Sequence, residues 1–202
     1  MKRLLGYSLL LLNTVIAHSE EGVYLSANVG VAIPMTSDLK LNGVTQATID
    51  ASSGVALGGA VGYGFSNNVR IEAEVNYQQN ELTSVSDLTG NSAPINGIDA
   101  YSISLLANGY YDFKNDSDFT PYLTAGLGFA DVWTEFAGGG TSVSNFVFAY
   151  QAGGGLDYSV TEKFTIGVKY RYFGTTDIED ASVGGSLSYA SNNVYATMRY
   201  SF

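Results

Sequence analysis

The stretch VRIEAEVNYQ, residues 69–78, alternates apolar and polar side chains without a break. Its odd-numbered positions carry Val69, Ile71, Ala73, Val75 and Tyr77, and charged or amide side chains occupy the positions between them. A period of two residues is that of a β-strand with one apolar and one polar face. In a soluble sandwich the apolar face points to the core, whereas in a membrane barrel it meets lipid and the charges point inward. The choice between these two arrangements decides the fold class.

The composition narrows the classes of protein that this chain can belong to. It has 202 residues, 24 Gly, 15 Tyr, no Cys and a net charge of -10. The length suits one domain, and abundant Gly and Tyr suit a sheet with close backbone approaches and amphipathic rings. The absence of Cys excludes a disulfide scaffold and a thiolate metal site. Because neutralising phosphates requires a basic surface, the acidic balance predicts that nucleic acid is not a partner.

The N-terminus has the pattern of a secretory signal peptide. Basic residues at positions 2 and 3 precede an apolar run at 4–16. Ala17-His18-Ser19 follows and has small residues at the two positions that a signal peptidase recognises. A membrane-spanning anchor needs roughly 20 apolar residues, and this run is shorter. We therefore predict a signal peptide at residues 1–19 and one outer-membrane β-barrel domain at residues 20–202.

Alternating segments recur along the rest of the chain and predict eight strands. They lie near residues 23–32, 54–65, 69–79, 100–113, 121–130, 146–158, 164–173 and 188–202. The connections after the second, fourth and sixth strands are short, whereas the others are long and span residues 33–53, 80–98, 131–145 and 174–187. Short periplasmic turns and long outer loops alternate in this way when both termini are periplasmic. We expect an all-β fold, an eight-stranded antiparallel up-and-down transmembrane β-barrel in the bacterial outer membrane, with its loops exposed at the cell surface.

Charged side chains within the strands indicate which face points inward. Every second residue of a strand lies on the same face. When the more apolar face of each strand is assigned to lipid, the opposite face carries four basic and four acidic residues: Arg70, Glu72, Glu74, Asp112, Asp157, Lys169, Arg171 and Arg199. An unpaired buried charge is unfavourable, so a balanced set in an acidic chain is what mutual pairing in a narrow lumen requires. We predict that these eight residues form an ion-pair network in the lumen, in which the four basic residues partner Glu72 and Glu74.

Aromatic residues on the lipid parity cluster at both ends of the strands. Near the short turns and the C-terminus lie Tyr63, Phe65, Tyr111, Phe113, Phe119, Tyr158, Phe164, Tyr200 and Phe202. Near the long loops lie Tyr77, Tyr101, Phe129, Phe148, Tyr150 and Tyr172. Aromatic girdles at both interfaces are typical of membrane barrels. We call the first set the inner girdle and the second set the outer girdle.

Two glycine-rich stretches resemble phosphate-binding loops only superficially. GLGFAD (126–131) and AGGGLD (152–157) each lie inside a strand pattern rather than between a strand and a helix. We expect glycines on the inward parity to leave room for Tyr110, Tyr122, Tyr195 and the charged side chains in a small barrel.

Three longer stretches resemble the opacity-type family of small eight-stranded outer-membrane barrels and surface antigens. They are SLLANGYYDF (104–113), TPYLTAGLGFA (120–130) and FAYQAGGGLDYSVTEKFTIGVKYRYF (148–173). The chain also ends as such proteins do, with an aromatic residue preceded by apolar residues at alternate positions: Phe202, Tyr200, Met198, Ala196 and Val194. The resemblance implies that Phe202, Tyr200 and Met198 form a signal for the outer-membrane assembly machinery. Members of that family include adhesins, immune-evasion antigens, pores and structural proteins.

The inventory of reactive side chains predicts no enzyme. The single histidine, His18, lies in the predicted signal peptide, which leaves none for a catalytic triad or a histidine metal site. Glu72 and Glu74, about 7 Å apart on one strand face, are the alternative for acid–base catalysis. Asp177, Glu179 and Asp180 are an alternative for a weak Ca²⁺ site. We expect no catalytic, cofactor-binding or metal-binding residue, and therefore no cofactor.

The long loops are the remaining place for a function. We expect a monomer, embedded in outer-membrane lipids, that presents four extracellular loops for adhesion or for antigenic contact with a host surface. Its loops carry acidic residues against Lys40 alone, so we expect an anionic outer face. A narrow porin-like channel and a purely structural outer-membrane protein are the alternatives. Among the loops, residues 33–53 form the longest and are expected to make the main contact.

Overall fold

The computed structural model describes residues 21–41, 43–138, 140–141, 145–180 and 185–202. The predicted signal peptide lies outside these residues. Within them, no helix is long and apolar enough to cross a membrane.

The described residues form fourteen β-strands. In chain order these are β1 (Gly22–Pro34), β2 (Ser37–Leu41), β3 (Val44–Ala51), β4 (Gly54–Gly64), β5 (Val69–Asp87), β6 (Ser92–Pro94), β7 (Ile98–Asp112), β8 (Phe119–Phe136), β9 (Gly140–Thr141), β10 (Asn145–Ser159), β11 (Phe164–Thr175), β12 (Ile178–Asp180), β13 (Gly185–Leu187) and β14 (Ala190–Ser201).

Eight of these strands close into an antiparallel ring. Each strand of the set β1, β4, β5, β7, β8, β10, β11 and β14 pairs with the next, and β14 pairs back onto β1. The predicted eight-stranded up-and-down barrel is thereby confirmed. Two predicted loop boundaries are wrong, because residues 80–87 continue β5 and residues 131–136 continue β8 beyond the girdle. Their polar side chains do not end the strands, since a neighbouring strand still supplies hydrogen bonds there.

The two faces of the ring have opposite chemistry. In β5, Arg70, Glu72 and Glu74 are buried inside, whereas Ile71 and Val75 are exposed on the outer surface. Two consecutive leucines of β7 show the same division, because Leu105 is 59% exposed and Leu106 is 1% exposed. The apolar side chains therefore face lipid and the charged side chains face the lumen, as in a membrane barrel and not as in a soluble sandwich.

The rings of both girdles contact one another across and along the strands. In the inner girdle the ring pairs are Tyr63 with Phe65, Tyr111 with Phe113, Phe119 with Tyr158, and Tyr200 with Phe202. In the outer girdle they are Tyr77 with Tyr101, Phe129 with Phe148, and Tyr150 with Tyr172. Trp133 also belongs to the outer girdle, since its ring stacks on Tyr101 with centroids 5.4 Å apart. Sequence reasoning missed Trp133 because it placed that residue in a loop.

Three of the long connections fold into a second sheet beyond the outer girdle. Its order is β12-β13-β2-β3-β5-β6, in which the outer part of β5 is shared with the barrel. The pairing of β2 with β13 joins the first long connection to the fourth. We call this structure the loop sheet. It makes the outer end of the molecule an ordered surface rather than a set of separate loops.

Glycines on the inward parity make room for tyrosine rings in the lumen. Gly62 is the cross-strand partner of Tyr24, and a Cβ atom at position 62 would overlap the Tyr24 ring. Gly155 holds the same relation to Tyr122. Gly59, on the outward parity of the same strand as Gly62, has only a backbone oxygen of Ser26 near its Cβ position, at 3.9 Å. A side chain is therefore tolerated at position 59 and excluded at position 62.

We predict that Gly62→Ala lowers the free energy of unfolding by about 1–3 kcal/mol, because the added methyl group displaces the ring of Tyr24 in a filled lumen. The matched control Gly59→Ala changes it by about 0.5 kcal/mol or less, since that methyl group points into lipid. Urea unfolding in detergent micelles, followed by the fluorescence of Trp133, measures both. Equal stability of the two variants would contradict the assigned packing.

Candidate functional site

Four charged residues form a cluster at the end of the lumen near the short turns. Arg70 donates two hydrogen bonds to the carboxylate of Asp112, both at 2.8 Å, and lies 3.6 Å from Asp157. Arg199 donates to Asp157 at 2.9 Å. The guanidinium of Arg70 also lies over the ring of Tyr110, 4.5 Å from its centroid. Each charge in this cluster has an opposite charge in contact, so their burial is compensated.

A second cluster occupies the middle of the lumen around Glu74. Arg171 donates to one carboxylate oxygen of Glu74 at 2.8 Å, while Lys169 lies 3.9 Å from the other oxygen. Asn108 donates to that second oxygen at 2.7 Å, and Arg171 also donates to the hydroxyl of Tyr195. The side chains of Arg171 and Glu74 are completely buried. Removing either partner would leave a buried charge without its hydrogen-bonded counter-ion.

Glu72 differs from the predicted network, because its partners are neutral. Its carboxylate accepts a hydrogen bond from the hydroxyl of Tyr110 at 2.6 Å and another from Ser26 at 3.3 Å. It forms no ion pair with a basic side chain of the described chain. The prediction that basic residues partner Glu72 is therefore wrong. Parity placed Glu72 in the lumen correctly, but it does not tell which neighbours a side chain reaches.

The half of the lumen nearest the long connections is lined by uncharged polar side chains. Gln78, Asn80 and Asn193 are buried there, and Asn80 donates to the backbone oxygen of Ser52 at 3.0 Å. Above them Tyr189 donates to Asn80 at 2.9 Å, which ties the fourth long connection to the barrel wall. Sequence reasoning placed the charged residues and three tyrosines in the lumen but did not name these amides. The inward parity of the same strands would have identified the amides as well.

Side chains fill the lumen where the charged residues lie. A cavity bordered by Arg70, Glu72, Lys169 and Arg199 has a volume of about 20 Å³. A cavity of this size holds about one water molecule. The lumen therefore leaves no room for a substrate at this point.

The residues considered for acid–base catalysis and for calcium binding are not brought together as a site in the described part of the chain. Glu74 is neutralised by two cations, whereas Glu72 contacts hydroxyl groups, so the two carboxylates have separate surroundings. Across the described ranges, no group of three or more Asp, Glu, His or Cys residues is arranged to hold a metal ion. Asp177 is exposed, and the side chains of Glu179 and Asp180 lie outside what the structure describes.

One acidic residue orders the turn between β5 and β6. The carboxylate of Asp87 accepts hydrogen bonds from the side chain and backbone of Asn91 and of Thr89, at 2.7–3.0 Å. These bonds, those from Asn91 first, lower the pKa of Asp87 to about 2. Because the folded pKa lies below the unfolded value, this contribution to stability is present at neutral pH and is lost as the pH falls toward 2.

Comparison with known proteins identifies the family. The model of the outer membrane protein beta-barrel domain matches residues 6–202. The chain belongs to this family. It is an outer-membrane β-barrel, so its apolar outer face lies in lipid.

Three known proteins illustrate the similarity. The outer membrane protein PagN of Salmonella typhimurium is 28% identical over 222 aligned positions, which cover 92% of each chain. The crystal structure of Neisserial surface protein A superposes with a TM-score of 0.57 at 22% identity, and covers 90% of this chain and 97% of its own. OprG from Pseudomonas aeruginosa superposes with a TM-score of 0.53 at 18% identity, over 90% and 96% of the two chains. These two structural similarities show only that the fold is shared.

The C-terminal residues close the ring beside the first strand. Tyr200 and Met198 face outward on β14, and the backbone N–H of Phe202 donates to Val23 at 3.2 Å. The ring of Phe202 is exposed to the lipid side and contacts Tyr200. This position suits the assembly signal that the resemblance implies, and that role stays a prediction.

We predict that Arg171→Ala lowers the free energy of unfolding by about 3–5 kcal/mol, because Glu74 loses the cation that donates a hydrogen bond to it. Arg199→Ala has a smaller effect, since Arg199 is partly exposed and Asp157 retains Arg70 nearby. Urea unfolding in micelles measures both variants.

The lipid-facing neighbour Val168 provides the opposite control. Val168→Arg places a charge in lipid and is expected to reduce stability by about 2–4 kcal/mol. If Arg171→Ala and Val168→Arg both unfolded like the parent, the inward and outward faces would be wrongly assigned.

Proposed function

We propose that this protein presents its outer end as a binding surface for adhesion to another cell or for antigenic contact with a host. The observation that carries the proposal is the loop sheet, which joins the first, second and fourth long connections by strand pairing. Binding residues are commonly held on loops that a rigid scaffold positions. An ordered surface also loses less conformational entropy on binding than separate flexible loops would.

The lumen supports this choice over a channel. Ion pairs and aromatic rings occupy the middle of the lumen and its end near the short turns. The cavity among them has a volume of about 20 Å³. Eight-stranded barrels have interiors just wide enough for side chains to fill. A narrow porin-like pore would require the clusters around Arg70 and Glu74 to separate. A purely structural role remains the second alternative, and it predicts no partner at the outer end.

The charge of the outer end favours certain partners. The long connections carry many carboxylates against a single basic residue, Lys40. A surface of this sign repels polyanions and attracts basic partners. We propose that the protein acts as a monomer with periplasmic termini, and that the outer-membrane assembly machinery reads Phe202, Tyr200 and Met198.

Replacing the four long connections with Asn-Gly turns should remove attachment while the barrel still folds, because the ring of hydrogen bonds does not include them. The replaced segments are residues 35–53, 88–97, 137–144 and 176–189, which lie between the barrel strands. Attachment of intact cells to epithelial monolayers and heat-modifiable migration of the barrel are measured together. A replacement of residues 35–53 alone is expected to have the largest single effect, because they contribute β2 and β3 to the loop sheet.

A matched control changes the opposite end of the barrel. Replacing the exposed turn residues Asn115 and Ser117 should leave attachment unchanged. A loopless barrel that still attached would contradict the proposal. Conductance of the parent in planar bilayers, retained by the loopless form, would move the function to the lumen instead.

A further inference from the structure

Three carboxylates lie side by side on the outer face of the barrel, beyond the outer girdle. Glu81 of β5 is the cross-strand partner of Asp99 of β7, and Asp99 is the partner of Glu135 of β8. All three have the outward parity of their strands. Side chains directly opposite each other on one face have Cβ atoms about 4.5–5.5 Å apart. We call Glu81, Asp99 and Glu135 the carboxylate row.

The carboxylate row has no basic side chain to offset it. None of its members forms an ion pair with a lysine or arginine in the part of the chain that the structure describes. Like charges directly opposite each other on antiparallel strands are destabilising. A cationic partner would relieve this repulsion, so the row has an electrostatic preference for positively charged ligands.

Aromatic rings lie directly beneath the carboxylate row. Gln79, Tyr101 and Trp133 are cross-strand partners one row nearer the membrane. Trp133 stacks on Tyr101, and the ring of Tyr77 lies 6.3 Å from that of Tyr101. The indole N–H of Trp133 donates to Glu135 at 3.2 Å, and the amide of Gln79 donates to the hydroxyl of Tyr101 at 3.4 Å. Both rows therefore form one surface, which we call the aromatic–carboxylate face.

We propose that the aromatic–carboxylate face binds an arginine-rich segment of a polypeptide on the opposing surface. A guanidinium group hydrogen-bonds to carboxylates and also packs against the faces of Tyr and Trp rings. A divalent cation is hydrated and takes oxygen ligands, so it would use the carboxylates and gain nothing from the rings. This inference rests on the proposed function, because it gives the chemistry of a partner at the same end of the barrel.

The test measures binding of a short fluorescent polyarginine peptide to the full protein in phosphatidylcholine nanodiscs. The double variant Asp99→Asn with Glu135→Gln keeps the side-chain shapes and the rings but removes two charges. Two exposed charge contacts of up to about 1 kcal/mol each correspond to roughly tenfold weaker binding. Trp133→Leu keeps all three carboxylates and is expected to weaken binding about threefold through the lost ring contact.

A control with the same change of charge separates this face from the general acidity of the outer end. Asp38→Asn with Asp177→Asn removes two exposed carboxylates elsewhere on the long connections. It should weaken peptide binding by about twofold at most, because those charges act only through screened long-range attraction. Equal weakening by both double variants would overturn the proposal. Loss of calcium binding in the Asp99 and Glu135 variant with unchanged peptide binding would overturn it in favour of a cation site.

The outcomes also separate this site from the proposed function. If the purified barrel binds the peptide but intact cells do not attach, the site stands and the adhesive function is rejected. If cells attach through the loops but the peptide does not bind, the site is rejected and the function stands.

Discussion

Backbone hydrogen bonding in a hydrocarbon layer constrains the rest of this molecule. A peptide group exposed to lipid without a partner is strongly unfavourable, so a sheet that crosses a membrane has to close on itself. Here β1 pairs with both β4 and β14, which leaves the ring of eight strands without an edge. Closure with eight strands leaves an interior just wide enough for side chains. The narrow lumen, and the need to fill it, follow directly from that closure.

The filled lumen in turn determines where a function can lie. Tyr24 and Tyr122 fit only because glycines face them, and Glu74 is buried only because Arg171 and Lys169 compensate its charge. These contacts stabilise the barrel and occupy the space that a substrate or solute would need. Recognition is therefore left to surfaces outside the membrane, which are the loop sheet and the upper part of the barrel wall.

The sequence predicted the barrel well because its strands repeat every two residues and their lipid face is uniformly apolar. The outer ends of β5 and β8 were missed. Beyond the girdle neither face of a strand meets lipid, so the alternation of apolar and polar residues no longer indicates a strand there. The loop sheet was missed for a related reason: its short strands, such as β2, are rich in polar residues and depend on partners distant in sequence. Parity likewise placed Glu72 in the lumen but could not assign Tyr110 as its partner, because side-chain reach depends on three-dimensional packing.

The central claim is that adjacent side chains of each strand face lipid and lumen alternately, and Leu105 and Leu106 test it most directly. These neighbours in β7 have the same chemistry but are 59% and 1% exposed. Nuclear Overhauser contacts between their methyl groups and lipid acyl chains can be measured on methyl-labelled protein in bicelles. The structure predicts strong acyl-chain contacts for Leu105 and none for Leu106. Acyl-chain contacts from Leu106, or their absence from Leu105, would contradict the assignment of the two faces.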